Sequence, residues 1–340
     1  MKVLLTGATG FLGANLARAL VARGDEVHCV IRKPNICLEG LDIHTHIIPL
    51  IDHPMEVQRL AKVMEGCSIV YHLAGIFDPS PGGIDRMVEL HVYGTRALLR
   101  AAEKAKVERF LFCSSSITVA FGSKENPGNE DQDFDAPAVY GRTGPLFAYY
   151  RTKLQAEELV RGWESLDTVI VNPDYIIGPY DVKPTSGQLI LAMSRRWVPV
   201  YPRGGKCFLG AKECADAHIA AALHGKRGER YLLGGHNLSY QEFMNEVSSV
   251  IGCRPPKMAI PRIAISMAGR VGGFLNQMDP HRFAGLEPHV LRAMQEERYR
   301  SPQKMIDELG ITPAPISQAI QEAHQWFGQH GYCSPAKQKI

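Results

Sequence analysis

Along the first half of the chain, short apolar runs alternate with longer stretches in which apolar residues recur at helical spacing. The runs at 2–6, 26–31, 44–48, 68–73, 109–114 and 168–171 predict strands. The stretches at 11–23, 55–64, 84–104 and 147–164 predict helices between them. Strands and helices alternating at these lengths predict an α/β fold, a doubly wound parallel sheet covered by helices on both faces.

After Val171 the rhythm changes. Prolines stand at 173, 179, 184, 199 and 202, followed by a helical run at 214–223 and a strand at 230–233. Beyond Gly235, helical stretches at 240–251, 288–297, 301–309 and 316–327 have no strands between them. The expected organisation is a core of residues 1–171 plus about 207–235, and a smaller, mainly helical substrate lobe of about 172–206 plus 236–330. Residues 334–340 read as a polar tail.

Composition narrows the function classes. The 340 residues carry 38 basic and 35 acidic side chains, a net charge of +3, without long basic runs. Nothing in that balance calls for nucleic acid or an anionic membrane surface, so small molecules are the expected partners. Eight cysteines show no CxxC or His/Cys ligand spacing; they read as reduced core thiols of a cytoplasmic protein, with no metal site. The apolar stretch 258–278 is interrupted by Arg262 and Arg270 and contains Pro261, which argues against an integral membrane segment.

The candidate chemistry lies at the strand ends, where open α/β sheets bind ligands. The first strand runs into a glycine turn and then a helix, in which Gly7, Thr9, Gly10, Phe11, Leu12 and Gly13 are the candidate pyrophosphate-binding residues. Glycines let phosphates approach the main chain, and the helix start offers unpaired N–H groups. This is a Rossmann-type dinucleotide site. At the end of the second strand stands Arg32, where an NAD-selective site usually has a carboxylate; a guanidinium would pair with a 2′-phosphate, so NADP(H) is favoured, with NAD(H) as the alternative. The fourth strand ends in small residues, Ala74 and Gly75, and the fifth in a hydroxyl cluster, Ser114, Ser115 and Ser116. Pro173, after the sixth strand, is expected to stop pairing and to stiffen a wall beside the nicotinamide.

Tyr149 and Lys153 are four residues apart on a predicted helix and so share a face. Bringing a tyrosine from ~10 to ~7 takes about 4 kcal/mol. One ammonium at ~4 Å in a medium of effective dielectric ~20 supplies about that much. The pair is therefore physically sufficient for Lys153 to stabilise a Tyr149 phenolate.

Together, Thr6-Gly-Ala-Thr-Gly10-Phe-Leu-Gly13, His72-Leu-Ala-Gly75, the serine cluster, Tyr149-x-x-x-Lys153 and Asn172-Pro173 with Gly178-Pro179 resemble the extended short-chain dehydrogenase/reductases. Val171-Asn-Pro173, the segment 178–184 and the segment 228–235 are most similar to the dihydroflavonol-reductase-like branch. The resemblance implies that Tyr149 is the acid/base, that Lys153 lowers its pKa and binds the nicotinamide ribose, and that Ser115 is the catalytic serine, with Ser114 or Ser116 as neighbouring registers. It implies a homodimer through paired helices. It places an adenine contact at Asp52, or at Leu50 or Ile51. The chain departs from the pattern with His91 where relatives have Asn, and with Glu213-Cys-Ala215 where they have Asp-Val-Ala.

The resulting expectation is an NADP(H)-dependent oxidoreductase interconverting a carbonyl and a secondary alcohol. Phe77, Tyr140, Phe147 and the stretch 260–274 lean toward a hydrophobic or aromatic substrate. A sugar-nucleotide epimerase is the main rival, with Arg195, Arg196, Arg203 and Arg292 as candidate diphosphate partners. A cofactor-sensing regulator should have lost Tyr149 or Lys153, and both are present.

Overall fold

The computed structural model describes residues 1–261 and 293–333. Arg262, Arg270, Arg292, the polar tail, most of the segment 258–278 and half of the segment 288–297 lie outside the described residues. Strands β1 (Lys2–Thr6), β2 (Glu26–Ile31), β3 (His44–Ile47), β4 (Ile69–His72), β5 (Arg109–Cys113), β6 (Asp167–Pro173) and β10 (Arg230–Leu233) form a seven-stranded sheet. Its order is β10-β6-β5-β4-β1-β2-β3 and every pairing is parallel. The chain builds outward from β1 to β3, then crosses to β4 on the other side of β1. A crevice therefore opens above the carboxyl ends of β1 and β4.

Alternate residues of the central strands face opposite layers. Val3, Leu5, Leu111 and Val171 enter the layer shared with α1 (Phe11–Ala22), α8 (Ala211–His224) and α10 (Gln303–Leu309). Leu4, Phe110, Phe112 and Ile170 enter the layer under α2 (Pro54–Met64), α4 (Thr95–Ala105) and α6 (Pro145–Arg161). The helix expected over 84–104 is divided into α3 (Gly83–Val88), a π-helical turn (Glu89–Gly94) and α4. That turn carries His91, and π-turns of this kind frequently mark functional positions.

The second lobe is less purely helical than its sequence suggests. Around β9 (Gly205–Gly210) lie β7 (Tyr175–Ile177) and β13 (Glu297–Arg298), both parallel to it, and β11 (His236–Ser239), antiparallel. A further pair joins β8 (Val200–Tyr201) to β12 (Met258–Ala259). Helices α7 (Gln188–Arg195), α9 (Tyr240–Ile251) and α11 (Ile316–Gln329) pack on this sheet, with Phe208 stacked on Phe243 at 4.1 Å between ring centroids. The segment 207–235 is thus shared: the rest of β9 belongs to the small sheet, while α8 and β10 join the large one. Helix α10, placed by sequence in the lobe, packs on α8 and β10 of the core.

Pro173 does not end its strand where expected. β6 continues to Pro173 opposite Leu233, because proline at a strand's last position loses only one donor. The ladder resumes at once, with the Asp174 N–H donating to Leu233 O at 3.0 Å.

Candidate active site

The glycine turn is built by close approach of main chain to main chain. Gly7 has φ +75°, and a Cβ there would lie 2.6 Å from the Leu73 carbonyl carbon and 2.7 Å from the Ala74 nitrogen. A Cβ on Gly13 would lie 2.1 Å from Gly7 O, so α1 can seat on the turn only without one. Gly10 N–H donates to Gly7 O at 2.9 Å, and Gly10 caps α1 with no side-chain hydrogen bond. The first-turn N–H groups of α1 are thereby left to an external acceptor. Ser114 Oγ, at the end of β5, is buried without a hydrogen-bond partner. These features fit a dinucleotide. Arg32 is exposed directly after β2.

Asp52 is held elsewhere. Arg96 Nε donates to one of its oxygens at 2.5 Å and Arg100 Nη1 to the other at 3.0 Å, so an adenine would have to compete with two guanidinium groups.

Helix α6 starts at Pro145 after Gly144 (φ +94°), which turns the chain sharply into the helix. Tyr149 and Lys153 follow one turn apart on the face turned to β5. Ser115 Oγ accepts from the Ile117 N–H at 3.3 Å, and the Ser115 and Tyr149 side chains line the same cavity. Lys153 Nζ donates to Cys113 O at 3.1 Å and lies 3.2 Å from where a Gly75 Cβ would stand. The structure thus brings Ser115, Tyr149, Lys153, Ser114 and Gly75 to the ends of β4 and β5.

The expected lowering of the Tyr149 pKa by Lys153 is absent in this state. Burial pushes the phenol up to about 12, the neighbouring Ser115 side chain opposes it, and Lys153 does not contribute. The physical reason is that Lys153 is engaged with the Cys113 carbonyl and is itself buried, which holds its own pKa below the usual lysine range.

Sequence reading missed the supports of these groups. His91 Nε2 accepts from the Ile76 N–H at 3.1 Å, which leaves its proton on Nδ1; Nδ1 donates to Thr152 Oγ1 at 2.9 Å, and Thr152 donates to Tyr149 O at 3.1 Å. Burial holds His91 neutral, at about 2. His72 bridges Thr6 Oγ1 (2.8 Å) and Thr95 Oγ1 (2.9 Å), while Thr6 Oγ1 also accepts from the Ala74 N–H (3.2 Å). One turn beyond Lys153, buried Glu157 accepts from Thr118 Oγ1 at 2.5 Å and Asn172 Nδ2 at 2.7 Å, bracing the loop after Ser115. The available signals were a histidine in the Asn position and a glutamate four residues after Lys153.

In front of Ser115 and Tyr149 lies a cavity of about 220 Å³. Phe77 and Tyr140 supply apolar walls, whereas Phe147 stacks on Tyr150 and is not part of the lining. The opposite wall carries Asp174, Lys206, Arg298 and Arg300. Arg300 is 2 % exposed at its side chain, pairs with Asp174 at 2.7 Å and donates to the carbonyls of Ser116 and Val119. Arg298 lies over the Phe121 and Tyr140 rings and pairs with Glu296. Burial pushes the Lys206 pKa down to about 7. The wall is therefore more polar than the aromatic residues alone suggested. Of the arginines expected to meet a diphosphate, Arg195 donates to Tyr332 O on the lobe, and neither it, Arg196 nor Arg203 lines this cavity.

The chain as a whole is similar to known proteins over nearly its full length. The chain is 32% identical to a dihydroflavonol 4-reductase-like protein of Synechocystis sp., covering 96% of this chain and 95% of that one. It is 30% identical to sterol demethylase protein B of Methylococcus capsulatus, over 97% and 99% of the two chains. The solved structure of gox2253 superposes with a TM-score of 0.81 at 30% identity, covering 98% and 99%. Residues 3–234 match the NAD dependent epimerase/dehydratase family, and the chain belongs to that family.

Proposed function

We propose that this protein is an NADP(H)-dependent oxidoreductase that interconverts a carbonyl and a secondary alcohol. The observation that carries the reading is the placement of Ser115 and Tyr149 on one cavity, with Lys153 one turn on from Tyr149 and held at the end of β5. The turn from Gly7 to Gly13 and the start of α1 would hold the pyrophosphate, Lys153 the nicotinamide ribose, and Arg32 a 2′-phosphate. A nicotinamide dinucleotide bound there supplies a hydride to a carbonyl carbon, or accepts one from a carbinol.

The protein's own part is to bind, orient and move one proton. Ser115 and Tyr149 together present two hydroxyls to a substrate oxygen. A phenol whose pKa stands at about 12 is fully protonated near neutrality, which suits it to donate that proton in reduction. In the reverse direction Tyr149 must first lose the proton, and Lys153 is the cation within its helical turn that can stabilise the phenolate once the Cys113 carbonyl releases it. Phe77 and Tyr140 would pack on an apolar part of the substrate, and Lys206 with Arg298 would meet a polar or anionic part, so an amphipathic substrate fits this cavity.

A sugar-nucleotide epimerase is the second reading, favoured by Lys206 and Arg298, which could receive a diphosphate. The two readings separate on cofactor behaviour. Native mass spectrometry of the purified protein should show it free of tightly held NAD, and it should oxidise NADPH against a carbonyl panel. Stoichiometric, retained NAD with no net NADPH consumption would support the epimerase and overturn the reductase.

A further inference from the structure

At the opposite edge of the large sheet, away from the catalytic crevice, four metal-capable side chains share one face. Glu26 and His28 are alternate residues of β2, His44 and His46 alternate residues of β3, and His28 is directly opposite His44 in the register. Alternation alone therefore places all four on the same side of two neighbouring strands. The ligand atoms of Glu26, His28 and His44 all lie within 4.8 Å of one another. His28 and His44 stack with ring centroids 4.6 Å apart, and His28 and His46 at 5.2 Å.

The hydrogen bonds divide these groups into ligands and a support. His28 Nε2 is 2.8 Å from Glu26 Oε1, while His28 Nδ1 is 3.0 Å from His46 Nε2. His44 has no hydrogen-bond partner among the described residues, and both it and Glu26 are exposed and able to rotate. Zinc binds imidazole nitrogen and carboxylate oxygen at about 2.0–2.2 Å, which puts neighbouring ligand atoms about 3.3 Å apart. Small rotations of Glu26 and His44 about the half-buried His28 ring would close the set to that spacing. When Nε2 serves as the ligand, the His28 proton resides on Nδ1 and is donated to His46, the orientation device that metal-bound histidines commonly use.

We propose that Glu26, His28 and His44 form a binding site for a divalent late transition metal, with Zn²⁺ as the cation, and that His46 positions His28 within it. Two imidazoles and one carboxylate select borderline cations such as Zn²⁺, Ni²⁺ or Cu²⁺ over Mg²⁺ or Ca²⁺, which require mostly oxygen donors. Occupied, the site would tie the edge strand β3 to β2 by ligand bonds across the ladder. With three protein ligands it would leave the fourth coordination position to solvent. It uses no residue of the proposed catalytic or dinucleotide-binding machinery.

The test is isothermal titration of tag-free, chelator-treated, full-length protein with ZnCl₂, beside the His28→Ala/His44→Ala double variant and the His46→Ala variant. Wild type should take up one saturable equivalent and melt at higher temperature when loaded. The double variant should lose that equivalent, and His46→Ala should bind at least tenfold more weakly. Unchanged melting of the metal-free variants, with wild-type NADPH turnover, shows that the fold is intact. Should a variant melt lower, Cu²⁺ electron paramagnetic resonance on the wild-type protein decides: splitting from two nitrogens supports the site. Absence of a saturable Zn²⁺ equivalent in wild type, equal binding by the double variant, or Cu²⁺ bound without nitrogen splitting overturns it.

Discussion

In the proposed reaction Tyr149 supplies the proton, and its environment would fix how turnover responds to pH. Burial raises its pKa to about 12, so the protonated phenol needed for carbonyl reduction is present throughout the neutral range. The phenolate needed for alcohol oxidation is scarce there and grows tenfold per pH unit. Alcohol oxidation should therefore rise with pH from 7 to 10 with a slope near one in log kcat/KM, while reduction stays flat; parallel pH profiles in the two directions check this. Tyr149→Phe keeps the ring and the packing but removes the proton, and should lower kcat by about 10²–10⁴-fold with cofactor affinity retained. Arg32→Asp should reverse the preference between NADPH and NADH in fluorescence titrations, because it exchanges a guanidinium for a carboxylate where a 2′-phosphate would sit. The shared helix of Tyr149 and Lys153 was legible because their spacing is local, four residues apart. His91, Glu157 and Arg300 were not, since each acts on groups far away in sequence: Arg300 reaches the Ser116 carbonyl across 184 positions.

Among the elements, the glycine turn and the loop after β5 carry the site, and each is fixed by a contact that can be removed. A Cβ at Gly13 would sit 2.1 Å from Gly7 O, so Gly13→Ala must displace α1 from the turn. It should weaken dinucleotide binding at least tenfold and destabilise the protein by about 1–3 kcal/mol, the usual cost of overpacking. The loop from Ser115 to Val119 is held by Arg300, whose partner Asp174 is equally buried. Arg300→Met leaves Asp174 as an uncompensated buried charge and should cost about 3–5 kcal/mol in chemical denaturation, with loss of turnover as the Ser115 loop loosens. The inner strands of the large sheet could be read from the chain because burial on both faces gives them compact apolar runs, whereas the edge strand β3 is largely exposed. β7, β8 and β13 could not, being two or three residues long and paired with distant segments. The π-turn at His91 was likewise hidden, because it lies within one continuous helical stretch with no proline or glycine between Ile84 and Tyr93 to mark it.

In the whole molecule, the large sheet and the smaller lobe meet over one cavity, and the division of labour follows from that placement. The core supplies Ser115 and Tyr149; the lobe and its connections supply Asp174, Tyr175, Lys206, Arg298 and Arg300. Among the described residues, no helix is long and apolar enough to cross a membrane. All eight cysteines are unpaired, six of them buried; Cys29, with its thiol pushed up to about 12 by burial, is an inert core group. The architecture was legible from alternating strands and helices, whereas the polar wall of the cavity was not, because β9 and β13 bring Lys206 and Arg298 together only when the small sheet forms. The central claim is net hydride transfer between NADPH and a carbonyl at Ser115, Tyr149 and Lys153. Incubation with NADPH deuterated at nicotinamide C4 and a panel of amphipathic ketones and aldehydes, followed by mass spectrometry of the products, tests it most directly. The account predicts one deuterium on the carbinol carbon for each NADP⁺ formed; a protein that retains bound NAD and inverts a sugar carbon while leaving the labelled NADPH unconsumed would contradict it.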